Sequence, residues 1–208
     1  MPMIRSKFVI LFTTYWFKNL LCAIGIWLFV PGCTPTKRPL KKKIVPITLP
    51  YCIPNNTQDL PITVWIHGTH FTKSETFYSI FKGIPSLKLI KELPANHYIR
   101  NAAESLIAAA PHIFSAPRFY MFGWSGKLSS HERKSTAKLL YQELLTIMKK
   151  NITCDNKFPA LYLICHSHGG NVALNLPLIA HEFDEPITIE KLILLACPVQ
   201  NQTMHNIH

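Results

Sequence analysis

Short apolar runs alternate with amphipathic stretches from residue 60 onward. Residues 62–66, Ile-Thr-Val-Trp-Ile, form a β-branched run bounded by Pro61 and by His67-Gly68, the pattern of a buried strand ending in a tight loop. A second run, 118–122, is closed by Gly123, Trp124, Ser125 and Gly126. Ser129 to Glu132 then has the Ser-x-x-Glu form of a helix capping box. The stretch that follows places Ala137, Leu140, Tyr141, Leu144, Leu145 and Met148 at helical spacing, with Lys138, Gln142, Glu143 and Lys149 opposite, which predicts an amphipathic helix packed on a sheet. Residues 161–164 are the third strand and 192–196 the fourth. Between them a helix begins at Gly169, and Pro177 is expected to disturb or end it. Strands separated by helices imply parallel pairing through right-handed crossovers, hence an α/β fold with a doubly wound, mostly parallel sheet.

The first part of the chain is organised differently. Residues 8–17 and 20–30 are apolar runs separated by Lys18 and Asn19, and the second is followed by Pro31, Gly32 and Cys33. One reading is a signal peptide over residues 1–33 whose Val-x-Gly-Cys ending resembles a bacterial lipoprotein signal, with Cys33 lipidated. The other is a single membrane-spanning helix over residues 8–30, with Lys18 near mid-bilayer, where a charge costs about 2.5–3.5 kcal/mol on insertion scales. The five positive residues 37, 38 and 41–43 that follow cut against export, because such flanks tend to stay cytoplasmic. Export with a lipid or helical anchor is nevertheless the favoured expectation, giving a membrane-associated protein. Residues 34–59 are rich in Pro, Lys and Thr and read as a tether, which leaves 60–208 for the globular part.

The formal charge of +11 raises nucleic acid as a partner until its location is considered. Arg5, Lys7, Lys18, Lys37, Arg38, Lys41, Lys42 and Lys43 all belong to the leader and tether, and the remainder carries no basic stripe interleaved with aromatics, so no nucleic-acid binding is expected. Of the six cysteines, Cys22 lies in the leader, and Cys165 and Cys197 sit at strand ends as candidate free thiols. Only Cys52 and Cys154 remain as a conceivable disulfide pair. His67, His70, His166 and His168 are not arranged on an H-E-x-x-H helix, so neither a metal nor another cofactor is expected.

The candidate chemistry centres on residues 161–173, Leu-Tyr-Leu-Ile-Cys-His-Ser-His-Gly-Gly-Asn-Val-Ala, where a buried strand runs straight into a Ser flanked by small residues. This is the sequence form of a nucleophile elbow, in which a sharp strand-to-helix turn lifts a serine hydroxyl clear of the sheet. Ser167 is the candidate nucleophile and Gly169 the downstream small position. Cys165 stands where G-x-S-x-G has its first Gly.

Three features over residues 60–200 together resemble the lipase and esterase kind of α/β-hydrolase domain: His67-Gly68 after a strand, the Phe122-Gly123-Trp124-Ser125-Gly126 turn, and His166-Ser167-His168-Gly169-Gly170. The resemblance implies acyl transfer to Ser167 from a small-molecule or lipid ester, followed by hydrolysis. It implies an oxyanion hole from the backbone N–H groups of His168 and Thr69, with His67, Gly68, His166 and Gly169 shaping the site. It does not extend to the family's last strands, so relative to that family the chain reads as truncated after the sixth strand. The family's acid and His follow the nucleophile on later loops. Here no Asp or Glu follows Glu190, only His205 and His208 follow the last strand as histidines, and Asp184 and Glu185 read as solvated charges. Two alternatives therefore stand beside the hydrolase: an inactive remnant of the same fold, and a non-enzymatic, membrane-anchored binding lipoprotein.

Overall fold

A computed structural model of the chain describes residues 7–9, 60–69, 80–152 and 157–200. Its strands are β1 (Lys7–Val9), β2 (Ile62–Ile66), β3 (Ser86–Leu89), β4 (Phe119–Gly123), β5 (Leu161–His166) and β6 (Lys191–Leu195). Its helices are α1 (Tyr98–Ala109), α2 (Ser130–Lys150), α3 (Gly169–Ala173) and α4 (Leu176–Ala180). The strands form one sheet in the order β1-β6-β5-β2-β4-β3, parallel throughout except for β3, which runs antiparallel to β4.

Every residue of β2 is buried, because neighbours flank it on both edges and apolar layers cover both faces. On one face Ile62, Val64, Ile66, Leu161, Leu163 and Cys165 pack with residues of α2, α3 and α4, among them Leu140, Leu144 and Val172. On the other, Trp65, Phe119, Met121, Tyr162 and Ile164 pack with Ile99 and Ala103 of α1. Burying one Leu or Ile side chain of such a core contributes about 1.5–3 kcal/mol. Helices on both faces of a mostly parallel sheet make this the doubly wound α/β architecture the pattern predicts.

Strand β5 continues to His166, and α2 runs to Lys150 with Ser129 as its cap, the Ser129 hydroxyl accepting from the Glu132 N–H at 3.3 Å. Several elements depart from the sequence reading, among them β1, whose residues 7–9 fall within the leader of that reading and pair with β6, and helix α1, which the sequence pattern does not announce. Strand β3 is an edge strand of four half-buried residues, with none of the continuous apolar character that marks the others. Pro177 stands in the first turn of α4, where its missing N–H has no partner to lose, and the break falls earlier, at Leu174 and Asn175.

The leader beyond Val9, Cys33, the tether, Cys52, Cys154 and His70 lie outside the described residues, as do His205 and His208. Among the described residues no helix is long and apolar enough to cross a membrane.

Candidate functional site

The chain leaves β2 toward β4 on one side of the sheet and leaves β5 toward β6 on the other. Adjacent parallel strands whose connections diverge open a crevice at their carboxyl ends, the usual ligand position in open α/β sheets. The residues at those two ends are His67-Gly68-Thr69 after β2 and Ser167-His168 after β5. Fold topology alone thus brings the candidate nucleophile and the candidate oxyanion loop together.

Ser167 adopts a left-handed backbone conformation, φ 51°. A non-glycine residue there costs on the order of 1–2 kcal/mol, so the surrounding structure must hold it. The Ser167 N–H donates to the Leu195 carbonyl at 2.8 Å, its carbonyl accepts from the Gly170 N–H at 3.1 Å, and α3 starts two residues later. Close packing completes the constraint. A Cβ added at Gly68 would lie 2.7 Å from the Ser167 Cβ, 3.1 Å from the His166 carbonyl and 3.2 Å from His166 Nδ1. Gly68 and His166 therefore pack against the elbow, and Gly169 packs its bare Cα on the end of β2. The small side chain of Cys165, two residues before Ser167, is fully buried.

The loop after β2 is anchored by His67, which is 1% exposed. Its Nε2 accepts from the Trp124 backbone N–H at 3.0 Å, and its Nδ1 lies 2.7 Å from the Gly68 carbonyl. With Nε2 accepting, the imidazole proton is on Nδ1, where it bonds that carbonyl. The Trp124 indole Nε1–H donates to the His67 carbonyl at 2.8 Å and the two rings stack with centroids 5.9 Å apart. Both nitrogens of His67 are thus engaged, Nε2 joining the ends of β2 and β4 and Nδ1 fixing the loop that carries Gly68. Neither the Thr69 nor the His168 backbone N–H donates to an acceptor among the described residues, and the Thr69 hydroxyl oxygen is buried and without a partner there.

On the far side of Ser167 a polar network ties α3 to the segment after β6. Asn171, 1% exposed, donates through Nδ2 to the Pro198 carbonyl at 3.0 Å and lies 3.4 Å from His168 Nδ1, while its Oδ1 accepts from the Gln200 N–H at 3.3 Å. Gln200 Oε1 in turn accepts from Arg133 Nη2 at 2.7 Å. Burial, and then the positive charge of Arg133, hold the His168 imidazole below its ordinary pKa. Cys165 and Cys197 are free thiols, as expected. The Cys197 Sγ donates to the Ser167 carbonyl at 2.6 Å, and burial pushes this thiol up to about 11.

Of the other candidate groups, Glu185 pairs with Lys149 at 2.8 Å on the surface and Asp184 is exposed. No imidazole or carboxylate among the described residues hydrogen-bonds the Ser167 hydroxyl, and among them no group of three metal-ligating side chains comes together. Trp124, Arg133, Asn171 and Gln200 were not singled out by the sequence. Their partners lie as far as 67 residues away; Trp124 sits inside the Gly-rich turn and Asn171 inside the elbow stretch, but neither has a role read from it. No family model matches the chain, and no curated protein matches it.

Proposed function

We propose that the chain is a serine hydrolase of the α/β-hydrolase kind, acting on carboxylic esters or lipids through an acyl-Ser167 intermediate. The observation that carries this reading is the left-handed Ser167 at the carboxyl ends of β2 and β5, together with the Thr69 and His168 backbone N–H groups, which have no acceptor among the described residues. Strain of that kind persists at functional sites, where it presents a side chain that a relaxed turn would not. In the reaction the Ser167 oxygen bonds the ester carbonyl carbon, the carbonyl oxygen takes up negative charge, and the N–H groups of His168 and Thr69 donate to it. The mechanism requires a base, which no described residue places on the Ser167 hydroxyl, to take its proton and pass it to the departing alcohol; water then repeats the sequence on the acyl-enzyme and releases the acid. Loss of one oxyanion donor in such a site costs about 3–4 kcal/mol of transition-state stabilisation.

A fluorophosphonate probe tests the nucleophile directly. Labelling of the folded wild type and none of Ser167→Ala is expected; an unlabelled wild type, or equal labelling of both, sinks the hydrolase. The reading places the enzyme at a membrane through its N-terminal segment, and membrane fractionation of the wild type beside Cys33→Ser distinguishes a lipid anchor, lost in the variant, from a helical one, which is retained.

A further inference from the structure

Arg133 is 3% exposed, yet it pairs with no carboxylate among the described residues. Its guanidinium donates only to neutral oxygens, the Leu128 carbonyl at 2.5 Å and the Gln200 carboxamide at 2.7 Å. Glu132, its neighbour in the chain, is engaged with the Ser125 hydroxyl. A buried cation without a counter-charge is costly, and this one also sits in the opening turns of α2, the positive end of the helix. Stability alone would select neither feature.

The position of the charge is what gives it meaning. Helix α2 begins after the loop that follows β4, at the carboxyl edge of the sheet, and Arg133 is linked through Gln200 and then Asn171 on α3 to the imidazole of His168, the residue next to Ser167. The Gln200 side chain is a planar carboxamide, in shape a carboxylate lacking its charge. It occupies the guanidinium edge where a carboxylate would make charge-assisted bonds, and it is only half-buried.

We propose that Arg133 is a carboxylate-recognition residue of the Ser167 site, with Gln200 the stand-in that a substrate carboxylate displaces, so that the ester taken there carries a second, free carboxylate. The substrate part of this statement rests on the hydrolase reading; the anion site does not.

Two measurements separate them. In the first, p-nitrophenyl hydrogen succinate is compared with p-nitrophenyl butyrate, which has the same acyl length and a methyl in place of the carboxylate. The wild type prefers the succinate ester, and Arg133→Gln lowers the ratio of the two kcat/KM values by about 10- to 100-fold, as expected for hydrogen bonds to a charged group. Gln200→Glu, which fills the guanidinium from within and keeps the packing, abolishes the preference too. A ratio unchanged in both variants overturns the proposal. In the second, free succinate raises the Tm of the wild type but not that of Arg133→Gln or Gln200→Glu; equal rises in all three overturn the anion site, whether or not esters turn over. A succinate-dependent Tm in a protein whose Ser167 resists the fluorophosphonate overturns only the hydrolase reading.

Discussion

Gly169 rests directly on the chain at His67: a Cβ at residue 169 would lie 2.5 Å from the His67 carbonyl oxygen and 2.5 Å from that of Ile66. Both obstacles are backbone at the end of a central strand and cannot rotate away. Gly169→Ala is therefore expected to cost about 1–3 kcal/mol, the range for overpacking a well-packed interior, and to separate the Ser167 elbow from the Thr69 loop. Urea unfolding with an unchanged m-value reads the stability. A variant as stable as the wild type would show that the contact between α3 and β2 is not tight.

Ser167 supplies a second expectation, because its φ of 51° is a glycine conformation occupied by a serine. Both Ser167→Ala and Ser167→Gly remove the hydroxyl, but only glycine relieves the backbone. Ser167→Gly should exceed Ser167→Ala in unfolding free energy by about 1 kcal/mol, although glycine is ordinarily the less stabilising of the two. Equal stabilities, or alanine the more stable, would remove the strain argument.

His67→Ala strands the Trp124 backbone N–H, which loses its Nε2 acceptor inside a site closed to water. An unpaired buried donor costs about 1–3 kcal/mol, and the lost ring stacking adds to it. His67→Asn, which keeps an acceptor on a short side chain, should recover part of the loss. Thermal unfolding of both variants checks this, and an alanine variant within about 0.5 kcal/mol of the wild type, the scatter of neutral surface changes, would relegate His67 to filler.

The His168 imidazole has a lowered pKa, burial being the larger cause and the Arg133 charge the second. The unfolded chain, whose histidine titrates near 6.5, then binds the proton first as the solution is acidified. The stability linked to this group is complete above that value and is lost as pH falls through it toward the lower folded pKa. Between about pH 7 and 5 the wild type should lose more Tm than His168→Gln, with the other titrations common to both. Arg133→Gln should raise the His168 pKa toward its ordinary value, read from the imidazole proton shifts by NMR. Parallel Tm profiles together with an unmoved His168 titration would contradict both causes.

Four strands of the sheet were legible because each is a short apolar or β-branched run stopped by glycine, proline or a polar turn; burial on both faces imposes that composition on the central strand β2. Strand β3 was not, because Ser86-Leu87-Lys88-Leu89 lies at the margin, pairs only with β4 and is half-buried throughout, with Leu87 packed on the core and Lys88 between the two leucines. Helix α1 escaped for a local reason: its cap is His97, whose Nδ1 accepts from the Ile99 N–H at 3.3 Å, in place of the Ser, Thr, Asp or Asn that usually announces a start. The elbow itself was readable because turn, strand end and small neighbours are contiguous in the chain. Arg133 and Gln200 were not, since neither is unusual until the fold removes one from water and sets the other's carboxamide against it.

The paired bonds between His67 and Trp124 bear on when the site becomes ordered. They join the carboxyl ends of two neighbouring strands, so the loop after β2, the proposed oxyanion loop, acquires its conformation during folding and would surrender little further freedom on binding. Affinity and the stability of the sheet are thereby coupled at this corner of the molecule: a change that loosens β4 against β2 should weaken ligand binding even when it touches no residue of the crevice.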